Sequence, residues 1–134
     1  MIRKLDEKTL VSGQIQPADV ARLKSSGVTM IVCNRPDGEE PGQPNAADIE
    51  AAAEEAGVAF RNVPIIRGIG PSDGEAMQEA FEAAAGTVLA YCRSGNRSSL
   101  VWAIARRGQG VSVEEIQQAA SAAGVDLSPV EHLL

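Results

Sequence analysis

The chain has 134 residues, enough for one domain (residues 1–134) with a sizeable core, and 44% of them are hydrophobic. Aromatic residues make up only 3%, so that core must be aliphatic and alanine-rich. The formal net charge of −6 argues against non-specific nucleic-acid binding, which needs a basic face, and no window approaches the ~18 apolar residues of a membrane-spanning helix. No basic start leads into an apolar run, so no signal peptide is read. Cys33 and Cys92 are too far apart in sequence for a disulfide framework or a zinc site. A reducing cytoplasm suits a working thiol. No cofactor or metal is expected, nucleic acid and membrane are not expected partners, and a homo-oligomer stays open.

In chain order, Leu10-Val11-Ser12-Gly13-Gln14-Ile15 reads as a short first strand ending in a turn. Gln16-Pro17-Ala18-Asp19 opens a helix with Val20 and Leu23 on one face, and Gly27 ends it. Val28 to Cys33 is a buried strand by composition. Asn34 to Asn45 is rich in proline, glycine and charge, so it is a loop at the C-terminal end of a strand. In open α/β sheets ligands bind at that end. Taken alone, this loop reads as a solvated connection. Arg35, directly after a buried strand, either faces an anion site or pairs with Glu39 or Glu40. Asn45 caps a helix running to about Ala56, which Gly57 ends. Val58 to Ile65 is a strand with partial alternation, and Arg67 to Pro71 a second loop. Ser72-x-x-Glu75 reads as a capping box opening a helix to Ala85, and Ser112-x-x-Glu115 as another opening Val113 to Ala123. A short turn forms from Pro129.

The most informative stretch runs from Thr87 to Ser99. Thr87-Val88-Leu89-Ala90-Tyr91 is a continuous apolar run that suits a central strand covered on both faces. Ser98 to Arg107 is apolar nearly all round, so this helix is buried too. Between them lie Cys92, Arg93, Ser94, Gly95, Asn96 and Arg97. A strand–loop–helix junction offers backbone N–H groups at a helix N-terminus, a ready anion site. The helix dipole and Arg97 both favour negative charge on the Cys92 sulfur. A thiolate facing an anion cradle with a guanidinium on its rim is a nucleophile aimed at an oxyanion substrate. Alternating strands and helices make the fold class α/β: a small three-layer sandwich with a mainly parallel sheet, its central strand feeding Cys92.

Two cysteine chemistries use such a loop. Cysteine phosphatases carry Cys-x5-Arg, with glycine three residues after the cysteine. Rhodaneses often carry a loop one residue shorter. Here Gly95 is three after Cys92, but Arg97 closes the loop at Cys-x4-Arg. A smaller ring of N–H groups fits a smaller anion, such as a persulfide terminus, better than a full phosphate. The partner is therefore a small oxyanion or phospho-substrate, or a persulfide donor.

Four segments follow one another in a familiar order: Ser12-Gly13-Gln14, Pro17 opening a helix, Asn34-Arg35-Pro36-Asp37-Gly38-Glu39, and Tyr91-Cys92-Arg93-Ser94-Gly95-Asn96-Arg97-Ser98. In these the chain resembles a bacterial family, the phosphatase-like domain found at the N-terminus of beta-lactamase-hydrolase-like proteins and also standing alone. The resemblance covers roughly residues 8 to 125. It implies a fold similar to the dual-specificity phosphatases and a hydrolase working through a phosphocysteine. Cys92 would be the nucleophile and Arg97 the oxyanion binder. The N–H groups of Arg93, Ser94, Gly95, Asn96 and Arg97 would form the cradle, and Ser98 would hydrogen-bond the thiolate. The family's fused partner domain resembles persulfide dioxygenases, which links it to sulfide handling and keeps a sulfurtransferase carrying a persulfide on Cys92 as the alternative.

One departure bears on mechanism. Dual-specificity phosphatases place an aspartic acid in the loop after the Val-Pro-Ile strand, whereas Val63-Pro64-Ile65-Ile66-Arg67-Gly68 has no acid. The nearest candidate for a general acid is Asp73, which also suits a first-turn helix position. Without an acid, departure of an alkoxide or phenolate slows, because general-acid help is typically worth about 10²–10⁴-fold, which points to weak phosphatase activity, to substrates with good leaving groups, or to sulfur transfer. His132 reads as a surface residue, Cys33 as a small core hydrophobe and Trp102 as core.

Overall fold

The structure is a computed structural model and describes residues 2–134. Among these residues, β1 (Ile2–Asp6), β2 (Thr9–Ser12), β3 (Val28–Cys33), β4 (Ala59–Asn62) and β5 (Thr87–Tyr91) form one sheet in the order β1-β2-β5-β3-β4. β1 is antiparallel to β2, and β2, β5, β3 and β4 run parallel. The strand that feeds Cys92 is therefore central. Its side chains alternate between two cores. Val88 and Ala90 pack with α3 (Pro71–Ala83), α4 (Asn96–Gly108) and α5 (Val113–Ala122) on one face. Leu89 and Tyr91 pack with α1 (Val20–Ser25) and α2 (Ala46–Ala56) on the other. The result is the expected three-layer α/β sandwich, and both cores are mainly aliphatic, with Trp102 and Phe81 in one and Tyr91 in the other.

The differences from the sequence reading have local causes. β1 was not expected, because three of its five residues in Ile2-Arg3-Lys4-Leu5-Asp6 are charged and only Leu5 is buried. It is an edge strand whose charges keep it from pairing further. β2 stops at Ser12, short of Ile15, and a 3₁₀ turn at Pro17–Asp19 precedes a shortened α1. α3 starts at Pro71 rather than after Ser72. Proline needs no N–H partner in a first turn, and the Gly70 N–H donates to Asp73 Oδ2 at 2.9 Å. The Ser72-x-x-Glu75 box is thus not the cap. Ser112 does cap α5, its Oγ accepting from the Glu115 N–H at 3.2 Å. A second 3₁₀ segment, Ser128–Leu133, closes the described chain.

Four parallel strands end side by side, with Ser12 opposite Tyr91, Tyr91 opposite Cys33, and Cys33 opposite Asn62. The segments after Ser12, Cys33, Asn62 and Tyr91 therefore converge on one end of the sheet. That is the end where an open α/β sheet holds its ligands. Among the described residues no helix is long and apolar enough to cross a membrane.

Candidate active site

Cys92 follows the last residue of β5 and is buried, its N–H donating to Ser12 O at 3.2 Å. Gly95 then turns the chain at φ +93°, a left-handed conformation that favours glycine, and α4 starts at Asn96. The turn returns the Gly95 N–H to Cys92 Sγ at 3.1 Å. Ser99 locks the turn from inside the helix: its N–H and Oγ both donate to Gly95 O, at 3.0 and 2.8 Å. Helix geometry leaves the N–H groups of Asn96, Arg97 and Ser98 without an i−4 acceptor, so they are available to an anion. Asn96 meets this partly through Ser94, whose Oγ accepts its N–H at 3.4 Å. Gly13 supports the loop from outside. A Cβ there would stand 2.9 Å from the Arg93 carbonyl oxygen, so only glycine lets the two loops pack this closely.

Arg97 sits on the rim, held by two segments. Its Nη1 donates to Glu39 Oε2 at 2.7 Å and to Ile65 O at 3.2 Å, and its Nη2 to Glu39 Oε1 at 2.8 Å. This pairing holds the Glu39 carboxyl down to about 2, and Arg35 adds to the effect. Glu39 in turn favours the charged guanidinium of Arg97, and Cys92 contributes in the same direction. Arg35 is only 3% exposed, and all three of its nitrogens find partners, two of them carboxylates. Its Nε donates to Glu39 Oε1 at 3.0 Å, Nη1 to Gln14 Oε1 at 3.0 Å and Nη2 to Glu40 Oε1 at 2.7 Å. Glu40 Oε1 also lies 3.0 Å from Arg93 Nε. Arg35 thus pairs with both glutamates the sequence offered it and lies behind the cradle. The loop between β3 and α2 is pinned over the site rather than being a plain solvated connection.

Ser98 is placed differently from what the resemblance implied. Its Oγ donates to Asn34 Oδ1 at 2.8 Å, so the hydroxyl proton is committed to Asn34 rather than to the Cys92 sulfur. Asn34 is fully buried, and sequence reasoning passed over it. Its Nδ2 donates to Val63 O at 2.9 Å, its N–H to Tyr91 O at 2.8 Å, and its carbonyl accepts from the Ile65 N–H at 3.0 Å. One side chain and its peptide join the ends of β5 and β3, the segment after β4, and α4. The available signal was a polar residue directly after a buried strand.

Asp73, the acid candidate, spends Oδ2 on the Gly70 N–H at the start of α3. Asp37 accepts from the Ala46 N–H at 2.8 Å and so caps α2. Cys33 is buried, its thiol donating to Arg35 O at 3.2 Å, and burial pushes its pKa up. His132 is exposed. Beside the cradle lies a cavity of about 250 Å³ lined by Ile65, Ile66, Ile69, Arg97, Leu100 and Val130. Ile66 is 76% exposed there.

A cysteine at the end of a central parallel strand, a glycine turn and an arginine in the first turn of the next helix place this protein in the cysteine-phosphatase fold class. The likenesses to known proteins agree. The chain belongs to the family described as beta-lactamase hydrolase-like protein, phosphatase-like domain, whose model matches residues 1–111. A beta-lactamase hydrolase-like protein of Xylella fastidiosa is 34% identical over 125 residues, covering 92% of this chain and 29% of the relative. One from Agrobacterium fabrum is 31% identical over 129 residues, with the same coverage. The chain thus spans about 29% of the length of the curated relatives it matches.

Among solved structures, a Neisseria meningitidis protein, a phosphatase by assignment, superposes with a TM-score of 0.82 at 42% identity. It covers 98% of this chain and 95% of its own. PTPMT1 gives 0.73 at 18% identity, covering 99% and 91%. A Cys→Ser form of P. aeruginosa TpbA in complex with pTyr gives 0.61 at 21%, covering 98% and 88%. The last two speak for the fold alone.

Proposed function

We propose that this domain hydrolyses phosphomonoesters through a phosphocysteine on Cys92. The observation that carries the reading is the convergence on one sulfur. The Gly95 N–H lies 3.1 Å from Sγ, the N-terminus of α4 opens beside it, and Arg97 stands on the rim. In the first step Sγ attacks phosphorus and the bond to the leaving oxygen breaks. The cradle N–H groups and Arg97 hold the phosphoryl oxygens as charge builds on them. In the second step water attacks the phosphocysteine, the S–P bond breaks, and phosphate leaves as the thiolate returns.

The first step has no evident proton donor. Asp73 caps α3, Asp37 caps α2, and Glu39, held down to about 2, is an anion at neutral pH. A leaving group that departs as a stable anion, such as a phenolate, fits this site better than an alkoxide. The rival chemistry is a rhodanese-like persulfide carried on Cys92. It keeps one observation in its favour, the four-residue span between Cys92 and Arg97, and the likenesses above add nothing to it. Release of p-nitrophenolate from its phosphate, measured for wild type and Cys92→Ser, tests the proposal. Cys92-dependent release supports it. A persulfide on Cys92 after thiosulfate treatment, with no phosphatase activity, replaces it with sulfur transfer.

A further inference from the structure

We propose that the apolar cavity beside the cradle is a leaving-group subsite that selects phosphomonoesters of large aromatic alcohols, with Ile66 as its specificity-determining residue. This rests on the phosphatase reading of Cys92 and adds the class of substrate that the site takes.

The cavity has a volume of about 250 Å³ and is walled by Ile65, Ile66, Ile69, Leu100, Pro129 and Val130. Ile65, Leu100 and Val130 are buried, so its floor is made of core side chains fixed by packing. Ile66 is different, because most of its side chain faces solvent. Among the described residues Ile2 is the one other large hydrophobic exposed in this way. A lone exposed isoleucine is ordinary on a protein surface, but one that borders an apolar cavity extends that face outward. The far wall, Pro129 and Val130, lies outside residues 1–111, so the stretch that the family model matches does not set the cavity's depth alone.

Attack by Sγ on phosphorus is in line with the departing oxygen. A phosphoryl group seated on the cradle therefore points its ester substituent away from Sγ and out over the rim. Arg97 is the rim residue, and the same side chain lines the cavity. Its Nη1 donates to Ile65 O at 3.2 Å, which fixes the rim against the cavity wall. The substituent thus leaves the cradle beside an apolar face rather than into open water.

The lining also selects the alcohol. No carboxylate borders the cavity, whereas Arg67 and Arg97 both do. When the P–O bond breaks, its electron pair stays on the departing oxygen, and no group lining the cavity supplies a proton. A phenolate or naphtholate spreads that charge into its ring, meets no repulsion, and rests its apolar surface against the isoleucines. A short polar alkoxide has neither advantage.

The test uses the full chain, with Ile66→Ser and Ile66→Val beside wild type, and phenyl phosphate and β-naphthyl phosphate as substrates. The two leaving groups are of similar basicity, so their rates differ by what the second ring touches. One added methylene in an apolar pocket is worth about tenfold or more, so wild type should favour the naphthyl ester at least about tenfold in kcat/KM. In Ile66→Ser that ratio should fall to about threefold or less, and Ile66→Val should recover part of it. Ile66 is exposed, so all three proteins should melt within a few degrees of one another. Calorimetry with phenylphosphonate and β-naphthylphosphonate, which are not hydrolysed, gives the same comparison as affinities. Equal kcat/KM for the two esters in wild type, or a preference that Ile66→Ser keeps in full, would overturn the proposal while leaving catalysis by Cys92 intact. Failure of the phosphatase reading looks different. Wild type would then show no Cys92-dependent turnover, and the phosphonates would decide the subsite: equal affinities remove it, and a naphthyl preference that depends on Ile66 keeps it as a binding site.

Discussion

Glu39 and Arg97 meet edge to edge, with two carboxylate–guanidinium contacts of 2.7 and 2.8 Å. The pair ties the loop after β3 to the first turn of α4, and its consequence for stability has a definite sign. The Glu39 carboxyl lies at about 2, below its ordinary 4.5. A carboxyl depressed on folding contributes stability above its unfolded pKa and loses it as pH falls through the folded one. Urea melts of wild type and Glu39→Gln should therefore differ by a constant margin above about pH 5, and that margin should close between about pH 4.5 and about pH 2. A margin independent of pH over that window would mean that the ion pair does not form in solution.

Asn34 is the polar hub beneath the site. Replacing it with alanine leaves Ser98 Oγ, which is buried, and Val63 O, which is part-buried, without their side-chain partners. One buried and one part-buried hydrogen bond broken on one side should lower stability by about 2–4 kcal/mol in denaturant melts. In a double-mutant cycle with Ser98→Ala the two losses should be strongly non-additive, because they share a bond. Additive losses would refute the Ser98–Asn34 contact.

Gly13→Ala tests how the cradle is supported. The new Cβ would press on the Arg93 carbonyl at 2.9 Å, a backbone atom that yields only if the loop shifts. Misplacing catalytic groups by about 1 Å costs up to about 10²-fold in rate. The variant should thus lose kcat by about tenfold or more while its melting temperature falls only modestly. Full activity in Gly13→Ala would show that the loop tolerates the shift.

Asp73→Ala separates a cap from an acid. As the acceptor for the Gly70 N–H, Asp73 contributes about 0.5–1 kcal/mol to α3, and its loss should appear in melts. Turnover of an aryl phosphate should stay within about twofold of wild type, whereas loss of a true general acid costs about 10²–10⁴-fold. A drop of that size, with loss of the alkaline limb of the pH profile, would restore Asp73 as the acid.

What the sequence disclosed and what it withheld divide along a physical line. The strand Thr87–Tyr91 and helix Asn96–Gly108 were legible because Val88 to Tyr91 and Ser98 to Ala103 are buried without a break, so their composition is their signal. Cys92, Gly95 and Arg97 were legible because a short loop keeps their spacing local. Glu39 lies 58 residues from Arg97, and no periodicity links them. Arg35 was readable only as facing an anion site or pairing with Glu39 or Glu40, since a cation just after a buried strand needs an anion nearby. β1 was lost because a charged edge strand carries no apolar pattern. Asp73 was ambiguous because a first-turn carboxylate and a general acid are the same residue type, and only the position of Gly70 separates them.

The most direct measurement is a rapid acid quench of wild type and Cys92→Ser with p-nitrophenyl phosphate, followed by intact mass and peptide mapping. A phosphocysteine intermediate predicts a gain of one phosphoryl group on the wild type, mapped to Cys92, with a burst of p-nitrophenolate and neither signal in the variant. Undiminished turnover by Cys92→Ser, or a phosphoryl group mapped to another residue, would contradict it.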